Sequence, residues 1–417
     1  MGNTSNLQHR KAQSVLHVTD VSGNPVANTE LQLKMKRHEF LFGCGAFDSL
    51  AYANPGTPSY VNPQGETSRT FLEERVEKWL NLYNYGTLPF YLGTFEPKEG
   101  HPQTENRRNA AKFLQSKGVV VKGHPLCWHT VCADWLMQYD NATILEKQLK
   151  RIQRDVTAFK GIIDKWDVIN EVVIMPIFDK YDNAITRICK EYGRVGLVKK
   201  VFEEAKAANP DAELLINDFN TSTNYEILID GCLNAGAPID TIGIQSHQHQ
   251  GYWGADKLYE VLERFEHFGL PIHFTENTLI SGSLIPKEIE DLNDWQVKEW
   301  PSTPEFEERQ KNQTEEMYRI LFAHPQVQAI TGWDFADGAW LGAPSGVIRE
   351  DNSEKPVYRM LHKLIKEEWW TDTTIRTDEN GFAVAEGFKG DYRLIHGNTE
   401  AELKLTAGLQ KQEITLA

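Results

Sequence analysis

Eight short runs of apolar, β-branched or aromatic residues recur along the chain, at 40–47, 83–90, 119–129, 165–172, 212–220, 241–249, 271–279 and 328–335. Their length and composition are those of strands buried on both faces. Between several of them the apolar spacing changes to that of a helix. Leu145, Leu149, Ile152, Val156 and Phe159 fall on one helical face, and Val198, Val201, Phe202 and Ala205 form a second stripe closed by Asn209-Pro210. Leu258, Val261, Leu262, Phe265 and Phe268 form a third, with Gly269 where a helix would stop. Strands alternating with helices in this way predict an α/β fold, a (β/α)8 TIM barrel. The rival is a doubly wound open sheet, but no G-x-G-x-x-G or P-loop follows any of the runs.

The two ends have a different rhythm. Residues 15–33 alternate around Gly23-Asn24-Pro25, and residues 374–416 alternate around Asp378-Glu379-Asn380-Gly381. Both patterns predict antiparallel strands. The N- and C-terminal segments are expected to pair into a small antiparallel β-module beside the barrel, with separate flanking hairpins as the alternative. The expected division assigns 1–36 and 370–417 to the module and 37–369 to the barrel, with Trp369-Trp370 at the second boundary. Phe382, Phe388 and Tyr392 are expected to pack within the module rather than bind a ligand.

Composition narrows the function. The chain has 417 residues, enough for one large core and a satellite, with 59 acidic against 44 basic side chains and a net charge of −15. An acidic surface argues against nucleic acid or an anionic membrane as partner and is compatible with a neutral polysaccharide. Cys44, Cys127, Cys132, Cys189 and Cys232 are scattered and odd in number, so they imply no disulfide framework, and no CxxC spacing suggests zinc. No apolar run reaches transmembrane length. The opening residues, Met1 to Asn6, show no charged-then-apolar leader, so the protein is either intracellular or secreted with its leader already removed.

In a (β/α)8 barrel the chemistry sits at the C-terminal ends of the strands. Polar residues gather there: His124 and His129, Asn170 and Glu171, Asn217, Asp218 and Asn220, Gln245, His247 and His249, Glu276 and Asn277, then Asp334 and Asp337, accompanied by Trp128, Trp333 and Trp340. Aromatic faces stack on sugar rings, and amides and imidazoles hydrogen-bond their hydroxyls. Two glutamates at equivalent strand ends, Glu171 after Trp166-Asp167-Val168-Ile169-Asn170 and Glu276 after Ile272-His273-Phe274-Thr275, are the pair that hydrolysis of a glycosidic bond requires. A lone glutamate at a strand end is usually a solvated or salt-bridged residue; two in matched positions favour catalysis. His247 and His249 share one face of their run, so a metal held with His124 or His129 is the competing reading. Sugar contacts are the expected role, with no metal and no cofactor. Asp218 is expected to orient its neighbours rather than act as a third catalyst. The acidic segment 285–299 is expected to be a solvated surface stretch, with a cleft-lining loop as the alternative.

Taken in order, Gly123-His124-Pro125-Leu126-Cys127-Trp128-His129, Trp166 to Glu171, Asn217-Asp218-Phe219-Asn220, Ile244-Gln245-Ser246-His247, Phe274-Thr275-Glu276 and Trp333 to Trp340 resemble glycoside hydrolase family ten, whose typical members are retaining endo-β-1,4-xylanases. The resemblance spans roughly residues 40–365. It implies the barrel fold, Glu171 as acid/base and Glu276 as nucleophile, with carboxyls about 5–5.5 Å apart. It also implies that His129, Asn170, Gln245 and His247 line the subsite of the cleaved sugar, with Trp128, Trp333, Trp340 and Tyr91 as further substrate contacts. The implied partner is a xylan-type polysaccharide or oligosaccharide, bound by a monomer without nucleic acid or membrane.

The sequence departs from the family pattern in three places, one of them the variant spacing of the eighth-strand motif, Trp333-Asp334-Phe335-Ala336-Asp337-Gly338-Ala339-Trp340. After the second barrel strand, the usual Thr-x-Glu-Asn-Glu-Met-Lys-Trp, which grips the sugars on the non-reducing side, is replaced by Thr87-Leu88-Pro89-Phe90-Tyr91-Leu92-Gly93-Thr94-Phe95-Glu96-Pro97. Phe90 and Tyr91 are candidates for a stacking platform in its place. The usual Glu-x-Asp at the nucleophile is Glu276-Asn277-Thr278. Three functions follow: a retaining β-1,4-xylanase, a retaining β-glycosidase of altered specificity (decorated xylan, short oligosaccharides or another β-glycan), and a non-hydrolytic carbohydrate-binding protein.

Overall fold

The computed structural model describes residues 6–57 and 68–417; the opening residues 1–5 lie outside them. Two terminal strands, β1 (Lys11–Asp20) and β2 (Glu30–His38), precede eight barrel strands: β3 (Leu41–Gly45), β4 (Tyr85–Pro89), β5 (Val120–His124), β6 (Lys165–Asn170), β7 (Glu213–Asp218), β8 (Thr241–His247), β9 (Ile272–Thr278) and β10 (Val327–Gly332). These eight are parallel neighbours in chain order, and β10 closes on β3. Seven of the expected runs enclose their strand, and the eighth strand begins one residue early, at Val327. Most runs overshoot at the C-terminal end, because apolar and aromatic residues continue into the loops that carry the polar cluster.

Helices alternate with the strands for local reasons. The stripe from Leu145 to Phe159 lies on a helix over Asn141–Phe159, started by the Asp140 carboxylate, which accepts from the Thr143 amide at 2.8 Å. Thr303 caps the helix Pro304–Ala323, with Pro304 in the first turn, where a missing N–H costs nothing. Among the described residues no helix is long and apolar enough to cross a membrane.

After the barrel come β11 (Asp372–Arg376), β12 (Phe382–Phe388), β13 (Gly390–His396), β14 (Thr399–Leu405) and β15 (Lys411–Leu416). They interleave with the N-terminal strands into two sheets, ordered β12-β1-β15 and β11-β2-β13-β14. Neither end could complete a sheet without the other. Between the sheets lie Leu16, Val18, Leu31, Leu33, Leu394, Leu405 and Ile414, all buried. One pairing corrects the antiparallel expectation: β1 and β15 run parallel. No hairpin joins them, and only a tight turn between two strands would force the antiparallel sense. Phe388 and Tyr392 are buried as expected, but Phe382 is 42% exposed, with its ring stacked on His17 at 4.5 Å. It stands in outward register with Val384 and Glu386, while Ala383 and Ala385 face inward.

The module is fastened to the barrel. Arg10 donates to the carbonyls of Phe322, His324 and Val327 at 2.8, 2.6 and 2.6 Å. Trp369 is buried, stacked on Phe322 at 4.1 Å and on Phe42 at 5.7 Å. A cavity of about 740 Å³ lies between module and barrel, near Lys36, Asn84, Lys117 and Trp370. It opens at the N-terminal ends of the strands, remote from both glutamates.

One further expectation changes. Phe90 is fully buried against Phe95, Phe159 and Trp166, with ring centroids 5.0–5.1 Å away, so it is core and not a stacking platform. Segment 285–299 is largely exposed, as expected, but it is tied to neighbouring loops. The Ile285 amide donates to the His249 carbonyl, Gln250 donates to the carbonyls of Pro286 and Ile289, and Lys180 pairs with Asp291 and Asp294.

Close packing makes one glycine essential. Gly123 on β5 lies opposite Trp166 on β6, and a Cβ added there would come within 2.1 Å of the buried indole. Gly123→Ala is therefore expected to lower the unfolding free energy by about 1–3 kcal/mol, as overpacking does. Chemical denaturation measures this, and an unchanged midpoint would mean that Trp166 can turn aside without loss.

Candidate active site

Asn170 ends β6, and Glu171 is the first residue beyond it. Glu171 has φ +58°, a left-handed conformation that costs a side-chain-bearing residue about 1–3 kcal/mol. Its amide is held by the Asn217 carbonyl of β7 at 2.8 Å. Asp218 secures the following turn, accepting from the Val173 amide at 3.0 Å and the Asn220 amide at 2.9 Å. That is the orienting position expected for it. Burial raises the Asp218 pKa to about 6.

Glu276 lies within β9, opposite Gln245 of β8 in register. The two glutamates are linked through two amides. Asn217 Nδ2 donates to Glu276 Oε1 at 2.7 Å and to Asn170 Oδ1 at 2.8 Å. Asn170 Nδ2 in turn reaches Glu171 Oε1 at 3.3 Å. Gln245 Nε2 donates to Asn170 Oδ1 at 3.0 Å and to Glu171 Oε1 at 3.2 Å. Asn217 Oδ1 accepts from the Thr275 hydroxyl at 2.6 Å. Only glycine at 243 leaves space for this amide, since a Cβ there would meet Asn217 Oδ1 at 2.6 Å.

The surroundings drive the two carboxyls in opposite directions. Burial, then the negative charge of Glu276, pushes the Glu171 pKa up to about 8, although Trp128 Nε1 donates to it at 2.9 Å. Burial acts on Glu276 as well, but there His124 and His247 outweigh it, and its pKa falls below the ordinary carboxylate value. His247 Nε2 lies 3.1 Å from Glu276 Oε2, and His124 Nδ1 lies 3.9 Å from Oε1. Near neutral pH the site therefore holds one neutral acid beside one anion.

Beneath Glu276 lies a buried charge cluster. Asp167 Oδ2 is 2.6 Å from Lys122 Nζ and 2.7 Å from His124 Nδ1. Burial alone would raise Asp167, but these two partners hold its pKa below the usual range. Sequence reasoning gave Lys122, Asp167 and Asn217 no individual role. Lys122 did carry a signal: a lysine inside an apolar strand run, two residues before His124, must share the inward face with that histidine.

His247 Nδ1 faces the hydroxyl of Thr278 at 3.2 Å, where the resemblance would place a carboxylate, and His249 Nδ1 faces the same oxygen at 3.2 Å. Thr278 has one hydroxyl proton, so one imidazole accepts and the other donates. Burial pushes His249 down to about 3, which keeps it neutral. Among the described residues, no three His, Cys, Asp or Glu side chains are placed to hold a metal ion.

The aromatic candidates gather around the pair. Trp340 stands 4.5 Å from His247, and Trp333 stands 5.2 Å from both His124 and Phe47. Tyr91 packs 5.5 Å from Trp128 and 5.6 Å from His124. His129 is set back: buried, pushed down to about 4, and packed 4.5 Å from Phe178. Asp334 and Asp337 point to their own loop. Asp334 accepts from Ser345 at 2.6 Å, and Asp337 pairs with the buried Lys355 at 2.5 Å.

A closed (β/α)8 barrel with two inward carboxyls of opposed acidity at its C-terminal mouth is the framework of a glycoside hydrolase. The model of Glycosyl hydrolase family 10 matches residues 91–364, and the chain belongs to that family. Endo-1,4-beta-xylanase B of Thermotoga neapolitana is 28% identical over 296 residues, covering 66% of this chain and 75% of that protein. An endo-1,4-beta-xylanase/feruloyl esterase of Xylanibacter ruminicola is 25% identical and covers 63% of the chain. The anti-sigma-I factor RsgI6 of Acetivibrio thermocellus is 23% identical, and its match covers 92% of the chain. The chain spans only 39% and 45% of the length of these last two. Among solved structures, xylanase 10B from Thermotoga maritima covers 79% of the chain and 96% of its own at a TM-score of 0.62 and 22% identity. Xylanase 10B from Thermotoga petrophila RKU-1 in complex with xylobiose covers 79% and 95% at 0.63 and 22%. These likenesses establish the fold.

The opposed acidities can be checked directly. In a carbon-13 carboxyl titration Glu171 should titrate near pH 8, and Glu276→Gln should move it downward, because one of its two main causes is removed. It should remain above the ordinary glutamate value, because burial persists. An unmoved Glu171 in the variant would show that the carboxyls do not interact.

Proposed function

We propose that the chain is a retaining glycoside hydrolase acting on β-1,4-xylosidic bonds in xylan or xylo-oligosaccharides, with Glu171 as acid/base and Glu276 as nucleophile. One observation carries this reading: two carboxyls joined through Asn170 and Asn217, one kept protonated and the other ionised at the same pH. The xylanases among the relatives and the bound xylobiose in one similar structure support the substrate class.

In the first step Glu276 attacks the anomeric carbon while Glu171 gives its proton to the glycosidic oxygen. The C–O bond breaks, the leaving sugar departs with that proton, and a glycosyl ester forms on Glu276. Consuming the negative charge of Glu276 removes one of the causes that raised Glu171. Glu171, now a carboxylate, takes a proton from water, whose oxygen attacks the same carbon. The ester bond breaks, and both residues return to their starting states. Asn170, between the two carboxyls, is the donor suited to the sugar 2-hydroxyl. His247, His124 and Lys122 keep Glu276 ionised.

A second reading has its own support. A relative whose match covers 92% of the chain is an anti-sigma-I factor. In that reading the barrel binds a β-glycan without cleaving it.

A product time course on xylohexaose separates the two. Glu276→Ala should abolish turnover, and in the unmodified protein the newly formed reducing end should appear first as the β-anomer in proton NMR. Glu171→Ala should cost roughly 10²–10⁴-fold on xylohexaose and far less on an activated aryl xyloside, whose leaving group needs no protonation. Equal losses on both substrates would remove Glu171 as the acid. Binding of xylohexaose with no turnover in the unmodified protein would establish the second reading.

A further inference from the structure

The loop after β9 is long, spanning residues 279–303, and its far end does not stay near β9. Lys180, on the loop after β6, lies 2.6 Å from Asp291 and 2.7 Å from Asp294. In barrel order β7 and β8 lie between β6 and β9. The loops after β6 and β9 therefore meet across the side of the barrel that holds β7 and β8, and the β9 loop is tied on the way. The Ile285 amide donates to the His249 carbonyl at 2.9 Å. Gln250 Nε2 donates to the carbonyls of Pro286 and Ile289, each at 2.8 Å. At its base Ser281 bonds Ser302 at 2.7 Å, and Trp300 Nε1 bonds the Ser283 carbonyl at 2.9 Å.

This strap lies on one side of the candidate site only. Tyr91, Trp333 and Phe47, which follow β4, β10 and β3, line the other side, where the altered segment after β4 replaces the residues that grip non-reducing-side sugars. The strapped side is therefore the side of the leaving group. Exposed apolar side chains also gather there, beside the charged residues of the strap. Of the eleven large apolar side chains left exposed among the described residues, five lie here: Ile177 and Tyr181 after β6, Phe219 after β7, and Leu284 and Val297 on the strap. A strap closed across this side shortens the space for an extended chain, and the apolar side chains offer faces for an aromatic group.

Resting on the glycosidase reading above, we infer that Lys180 is a specificity-determining residue. It latches residues 279–303 over the leaving-group side, so that the site takes a short or aryl aglycone and discriminates against a long xylan chain. The latch is reversible. Lys180 is 38% exposed and Asp294 62% exposed, and an exposed ion pair shifts an equilibrium by at most about fivefold and is weakened by salt.

The test compares kcat/KM on p-nitrophenyl β-xylobioside and on xylohexaose. Lys180→Ala should raise the rate on xylohexaose about threefold or more and leave the aryl substrate unchanged, a size set by two exposed pairs. Asp291→Asn with Asp294→Asn, which leaves Lys180 in place, should reproduce the shift. About 0.5 M NaCl should produce it in the unmodified protein and not in the variants. An unchanged ratio of the two rates in both variants overturns the latch, as does a parallel loss on both substrates. An unmodified protein inactive on both substrates would instead sink the glycosidase reading on which the latch rests.

Discussion

Two carboxyl groups buried within reach of each other cannot both carry a charge without a large desolvation and repulsion cost. The candidate site depends on that constraint. Burial acts on Glu171 and Glu276 alike, so burial cannot assign them different states. The difference comes from their neighbours. Glu276 is surrounded by His247 and His124, with Lys122 behind them, and these keep it anionic, while Asp167 pairs with Lys122 and His124. Glu171 faces neutral donors, Trp128, Asn170 and Gln245, and takes the proton. Each group's state is part of the other's environment.

The barrel makes this asymmetry possible by supplying it from different strands. Lys122, His124 and Asp167 come from β5 and β6, Asn217 from β7, Gln245 and His247 from β8, and Glu276 from β9. A closed parallel sheet aims all of them at one mouth. Close backbone approach is needed for the fit, which explains glycine at 123 against Trp166 and at 243 against Asn217. The strained backbone of Glu171 is held in place by β7 and Asp218 rather than by its own preference.

The departures from the family pattern acquire a physical meaning in three dimensions. Thr278 replaces a charged partner of His247 with a hydroxyl shared by two imidazoles. The segment after β4 puts Phe90 into the core and leaves only Tyr91 beside Trp128. Beside them, the loop after β9 meets Lys180 of the loop after β6. Together they leave the carboxyl pair intact while changing both flanks of the cleft.

Hydrophobic periodicity alone determined the eight strands, three of the helices between them and the β character of both ends, because burial imposes a two- or three-to-four-residue rhythm that can be counted along the chain. The glutamates and most polar partners were legible too, as polar residues ending apolar runs. What the tertiary structure decided was everything that depends on pairing across the barrel and between its two ends. It decided that β15 joins β1 in parallel, that Phe90 is core while Phe382 is exposed, and that His129 stands back. It also decided that Asp337 pairs with Lys355 rather than facing the cleft, and that Lys122 and Asp167 form a buried ion pair under Glu276. The reason is one of range. A side chain's environment, and with it its charge state, is set by residues tens to hundreds of positions away, and no local pattern encodes which of them the closed sheet will bring within a hydrogen bond's length.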